Sequence, residues 1–131
     1  MNGYRNQPTI QAFTDKALTS SYADSAFEFI VAGAEKVSLD ISYAMGASES
    51  ANTLKFKLEH SSDDGVTWHS LVIDSTGATS VLTPRVWDIV GTNALNVLIN
   101  IGYLKMRLSM IETGVATNAG TVSVAITPSG I

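Results

Sequence analysis

Residues 54 to 68 read LKFKLEHSSDDGVTW, and two patterns meet inside them. Leu54, Phe56 and Leu58 alternate with Lys55, Lys57 and Glu59. Successive side chains on an extended strand point to opposite faces, so this segment is a strand with one apolar face and one charged face. Ser61-Ser62-Asp63-Asp64-Gly65-Val66-Thr67-Trp68 then follows the spacing Ser-x-Asp-x-Gly-x-x-Trp. Asp63 can accept hydrogen bonds from backbone N–H groups two or three residues on. Gly65 takes a positive φ, Ser61 can bond across the loop, and Trp68 can lay its ring over it. With Thr67 to Ile73 as the return, the stretch is a β-hairpin whose structural turn is Ser61, Asp63, Gly65 and Trp68.

The same period of two runs through the chain. Val37, Leu39, Ile41 and Tyr43 alternate with Ser38, Asp40 and Ser42; Leu104, Met106, Leu108 and Met110 alternate with Lys105, Arg107 and Ser109; Val122, Val124 and Ile126 alternate with polar neighbours. Strands apolar on one side and wet on the other belong to antiparallel sheets. Phe27 to Val31 is a further strand that stops at Gly33, and Pro84 breaks the run from Thr79 to Val90 or puts it at an edge. Asn96 to Ile101 fits a strand or one buried helical turn, while Ala44 to Asn52 is small and polar and reads as a loop. About eight strands with turn signals between them predict an all-β fold, a single antiparallel two-sheet sandwich. Residues 1–13 lack alternation and contain Pro8, which makes them an extended N-terminal arm on a sandwich domain of residues 14–131.

Composition narrows the function. The chain has 131 residues and no cysteine, so it needs neither disulfide nor thiolate metal site to build one core. Its net charge is −4, and its eight basic residues are scattered, which argues against nucleic acid as a partner. The polar N-terminus does not read as a leader, and the apolar runs are strand-length, so no membrane partner is expected. Charged residues are 15% against 45% hydrophobic ones, a balance that suits either a surface hidden in an assembly or simply a Ser/Thr-rich β-domain.

Chemistry-bearing residues are few. The Ser-x-Asp-x-Gly-x-x-Trp spacing is the Asp-box of sialidase propellers, but it occurs once here, and a propeller needs a far longer chain. His60 and His69 flank Asp63 and Asp64, a donor set for a divalent metal. His60, however, shares the inward parity of Leu58, and His69 is expected on the opposite face from Trp68, so the two histidines read as a rim and a surface residue. A calcium site at Asp63 and Asp64 is a further option. No nucleophile elbow or phosphate-cradling loop is present, so neither a catalytic residue nor a cofactor is expected. Trp87, between Arg85 and Asp88, is either a contact patch for a protein or glycan, or a core ring beside an Arg85–Asp88 ion pair. Tyr4, Arg5, Gln7 and Pro8 in the arm are candidate anchors to a partner.

The order of these segments, an alternating strand at Val37–Ala44, Leu54–Glu59 running into the tryptophan turn, Tyr103–Leu108 and Gly120–Val124, resembles capsid decoration or cement proteins of tailed bacteriophages. The likeness covers roughly residues 26 to 127. It implies a jelly-roll-like fold and a virion structural protein, assembled in the host bacterial cytoplasm. Such a protein is fixed to the major capsid protein by its arm and loops, as a homotrimer. The rival expectation is a glycan-binding β-sandwich module of a tail or fibre, using Trp87 or calcium-bound loop carboxylates.

Overall fold

The computed structural model describes residues 9–31, 33–74, 82–100 and 105–129. Eleven strands are present among them: β1 (Ile10–Ala17), β2 (Phe27–Ile30), β3 (Lys36–Ala44), β4 (Thr53–Ser61), β5 (His69–Ser70), β6 (Val72–Asp74), β7 (Leu82–Pro84), β8 (Val86–Val90), β9 (Asn93–Asn100), β10 (Lys105–Thr113) and β11 (Thr121–Ser129). One sheet has the order β1-β11-β3-β9; the other has the order β2-β10-β4-β5, with β8 also on β4. The expected all-β, two-sheet antiparallel architecture is therefore present.

The pairings nest. With β5 to β7 set aside as an insertion, the first strand pairs the last (β1 with β11), the second the next-to-last (β2 with β10), then β3 with β9 and β4 with β8, all antiparallel. Folding that ladder of pairs over itself gives two four-stranded layers, which is jelly-roll connectivity. The long central pairings, β10 with β4 and β11 with β3, run without a slip over nine residue pairs each. Their inner faces form one core: Leu39, Ile41, Val124 and Ile126 from one sheet meet Leu54, Phe56, Leu58, Met106, Leu108 and Met110 from the other.

Three segments differ from expectation. Residues 10 to 13, expected in the arm, form the first half of β1. Two register shifts, between Gln11 and Phe13 and between Phe13 and Lys16, with Asp15 at φ 48, erase the alternation by which a strand is recognised in sequence. The return from the tryptophan turn is two residues long rather than seven. After Ser70 the chain bonds once more, Leu71 N–H to Leu58 C=O, and leaves through the β6–β7 hairpin. It comes back at Arg85, whose N–H bonds Leu71 C=O, to place β8 along the remainder of β4. The edge beside β4 is thus built from two pieces. The ambiguous run from Asn96 to Ile101 belongs, through Asn100, to strand β9, and Ile101 lies outside the described residues. A short 3-10 turn at Tyr22–Ser25 was not foreseen; Ser25 Oγ bonds the Met110 N–H and C=O, which docks the turn against β10.

One end of the sandwich closes on a buried carboxylate. Continuing the parity of Met106, Leu108 and Met110 brings Glu112 inward, where it is 3% exposed. It accepts from the Tyr43 hydroxyl, from Asn52 Nδ2 at 3.3 Å and from Gly120 N–H at 2.7 Å. Burial and that carboxylate both push the Tyr43 phenol upward in pKa. A side chain at Gly120 would collide with the Ala44 carbonyl and Glu112 itself, so only glycine fits beside the network. Outside it, Glu49 accepts the N–H groups of Ala116, Thr117 and Asn118 and ties the loop before β4 to the loop before β11.

Replacing Glu112 by Ala strands three donors in a dry site. At ~1–3 kcal/mol for each buried group left unpaired, the loss is expected to be about 3 kcal/mol or more. Urea unfolding checks it, with Val90→Ala as the control: Val90 is 72% exposed, and its replacement should stay within about 0.5 kcal/mol.

Candidate functional site

The tryptophan turn lies at the opposite end of β4 from Glu112. Ser61 is buried, and its Oγ donates to Asp63 Oδ1 at 2.7 Å while accepting Gly65 N–H at 2.9 Å. Asp63 Oδ1 also accepts Thr67 N–H at 2.8 Å, four residues on. Asp64 and Gly65 both have positive φ, 60 and 87, so two successive left-handed residues reverse the chain. A Cβ on Gly65 would sit 3.5 Å from Trp68 Cζ2, which shows how closely the ring covers the turn. The other face of the ring carries the Arg107 guanidinium, 4.4 Å from its centroid. The Ser61 and Thr67 hydrogen bonds bring the Asp63 carboxyl down to about 2. Asp64, the other carboxylate considered for calcium, lies 3.6 Å from the Lys105 ammonium.

His60 and His69 come together, contrary to the expectation that they face apart. They are direct cross-strand partners of β4 and β5, and partners share a face; their rings are 5.8 Å apart. Burial and the neighbouring His69 lower the His60 pKa. Among the described residues, no group of three or more His, Asp or Glu is placed to hold a metal.

Trp87 faces inward. It stacks on the core ring of Phe56 with centroids 5.1 Å apart and planes 4° from parallel, and the Arg85 guanidinium lies 4.8 Å over it. Asp88, one residue on, points outward and pairs with Lys55 at 3.1 Å rather than with Arg85. The arm residues Tyr4, Arg5, Gln7 and Pro8 lie outside the described residues.

The two outer faces of the sandwich differ in kind. The β2-β10-β4-β8 face holds interleaved charges: Arg107 with Glu59 at 2.9 Å, Lys55 with Asp88, and Lys105 with Glu28 at 3.8 Å. Lys57 sits over the Tyr22 ring at 4.4 Å, beside a cleft of about 300 Å3 whose walls include Arg107, Glu59 and Ser109. The β1-β11-β3-β9 face carries fewer charges, among them Asp15, which bonds Ser123, and Lys36 and Asp40 of β3. β11 presents Thr121, Ser123, Ala125, Thr127 and Ser129; β3 presents Ser38, Asp40 and Ser42; β9 presents Ala94, Asn96 and Leu98. Its central charge, Asp40, accepts from Asn96 Nδ2 at 2.6 Å. The alternation was legible in sequence; which strands share a sheet, and hence this segregation of charge, was not.

No family model matches the chain, and no curated protein matches it. Several solved structures align with the chain, each at a TM-score below 0.5. The CBM22-1–GH10 modules of Clostridium thermocellum xylanase 10B, complexed with xylohexaose, align at 12% identity over 98% of this chain and 26% of that one, with a TM-score of 0.48. A subunit of the disulfide-linked pili that form Bacillus endospore appendages aligns at 9% identity over 98% and 91%, with a TM-score of 0.44. The T13 particle of infectious bursal disease virus aligns at 14% identity over 95% and 31%, with a TM-score of 0.45. The chain spans less than a third of the xylanase and viral chains. The class that the strand order defines is a small jelly-roll β-sandwich.

Asp63 and Glu49 both have carboxyls held near 2, below their ordinary values of 3.8 and 4.5, by hydrogen bonds to the charged form. A depressed carboxylate stabilises the fold above its unfolded pKa and loses that contribution as pH falls through the folded one. Stability is therefore expected to drop between pH 4.5 and pH 2, and Asp63→Asn combined with Glu49→Gln should flatten that limb while lowering stability at pH 7. Urea midpoints across the range measure both effects.

Proposed function

We propose that this chain is a structural protein of a bacteriophage virion, decorating or cementing the capsid by protein–protein contacts without carrying out a chemical step. The observation that carries the reading is the contrast between the outer faces. One sheet is dense with charges, most of them paired within its own surface, whereas the other is mainly Ser, Thr, Ala and Asn, with Asp40 bonded by Asn96 and Asp15 by Ser123, and is desolvated at lower electrostatic cost. Leu98, 61% exposed, stands on β9 at the edge of that field.

Magnitudes fit a repeated contact better than a single one. Four strands ~4.8 Å apart, with about eight residues of ~3.3 Å rise, make a face of roughly 500 Å2. That is somewhat under the ~800 Å2 per partner of a standard interface. Repetition over a symmetric shell, trimerisation, and contacts from the arm residues Tyr4, Arg5, Gln7 and Pro8 would supply the rest. The chain enters the fold at β1, on the edge of this same sheet. In this reading the major capsid protein is the partner and the capsid surface the location. Arg85 and Trp87, on the far sheet, serve the core edge, and a glycan stacked on Trp87 is disfavoured because Phe56 and Arg85 cover its faces.

Ser123→Glu and Ala125→Glu place a further carboxylate beside Asp15 and Asp40, in the middle of the flat face, without touching the core. Each is expected to weaken co-sedimentation with empty shells of the same phage's capsid protein by about tenfold or more, the cost of one unpaired charge at an interface. The β-sheet circular dichroism should be unchanged. Light scattering should give about three times the 13.9 kDa chain mass. Undiminished binding by both variants would contradict the reading.

A further inference from the structure

The cleft on the charged face contains an unused donor. Ser109 lies directly across from Lys57 in the β10–β4 pairing, under the 3-10 turn. It is 3% exposed, and its hydroxyl has no hydrogen-bond partner among the described residues. A buried hydroxyl without a partner costs stability, so one retained at the wall of an open cleft is a group waiting for a ligand. Around it, among the described residues, Lys57 makes only the contact with the Tyr22 ring, and both Arg107 contacts to Glu59 fall on Oε1, which leaves Glu59 Oε2 as an acceptor. Two cations against one carboxylate leave the cleft with an excess positive charge.

We infer that this cleft, walled by Tyr22, Lys57, Glu59, Arg107 and Ser109, binds a hexuronate unit of an acidic glycan. The sugar's carboxylate meets Lys57 and the outer edge of Arg107, its ring lies against Tyr22, and its hydroxyls bond Ser109 Oγ and Glu59 Oε2. Glu59 decides between classes of anion. It repels a plain carboxylate side chain but accepts from a sugar hydroxyl, so an acid that is also a polyol uses every polar group present. The volume, about 300 Å3, accommodates one sugar ring with room for its linkages. The site is independent of the flat face and lies on the opposite side of the sandwich.

The test is an amide NMR titration of the intact chain at low salt with trigalacturonate, neutral galactotriose and a triglutamate peptide. Trigalacturonate is expected to shift the amides of Lys57, Arg107 and Ser109; the other two should leave them in place. Lys57→Met should weaken binding about tenfold and Ser109→Ala about threefold, as expected for a charged and a neutral hydrogen bond. Both variants should keep their affinity for capsid shells, so failure here is separable from failure of the structural role. Absence of shifts with trigalacturonate overturns the inference. So does equal binding of the triglutamate peptide, which would make the cleft a dock for acidic protein segments, or undiminished binding by both variants.

Discussion

Everything in this molecule follows from the register of two pairings, β10 on β4 and β11 on β3. Each runs nine residue pairs without a bulge, and in each every second side chain is buried, with the half-buried His60 as the exception. A slip of one residue on β4 would exchange Leu54, Phe56 and Leu58 for Lys55, Lys57 and Glu59, and set those charges among the apolar side chains of the core, with the carboxylate of Glu112 at one end. Because the period is two, one decision about the inner face is also a decision about the outer one. The core therefore sets where Lys57, Glu59, Arg107 and Ser109 stand, and the cleft and its ion pairs inherit that arrangement.

The ends of the sandwich are fixed by different means. Glu112 gathers Tyr43, Asn52 and Gly120 around a buried carboxylate, and Glu49 straps the adjoining loops. At the other end the turn from Ser61 to Trp68 is self-contained: its hydroxyl and carboxylate are consumed by its own backbone, and Arg107 covers its ring. A motif shared with sugar-active propellers thus acts here within the hairpin. It also brings an aromatic and a cation to the rim of the charged face, near the cleft rather than inside it.

What could be read from sequence was what depends on neighbours in the chain. The strands of β3, β4, β10 and β11 declare themselves by alternation, and the left-handed Gly65 by its turn. Glu112 was not foreseen: the count of two from Met110 places it inward, but a carboxylate there runs against the usual pattern of burial. β1 was hidden by its two register shifts, and the two-piece edge by a detour through β6 and β7 that no local pattern marks. The pairing of His60 with His69 needed the β4–β5 register, and the segregation of charge between the outer faces needed the sheet order. Pairing between distant strands is decided by the packing of the whole core, so it leaves no trace within a short window.

The most direct test of the two-faced account is hydrogen–deuterium exchange of the chain free and bound to capsid shells. The account predicts added protection in β1 and β9, the edges of the sparsely charged sheet, with β2 and β8 exchanging as in the free protein. Protection that appeared in β2 and β8 and left β1 and β9 unchanged would contradict it.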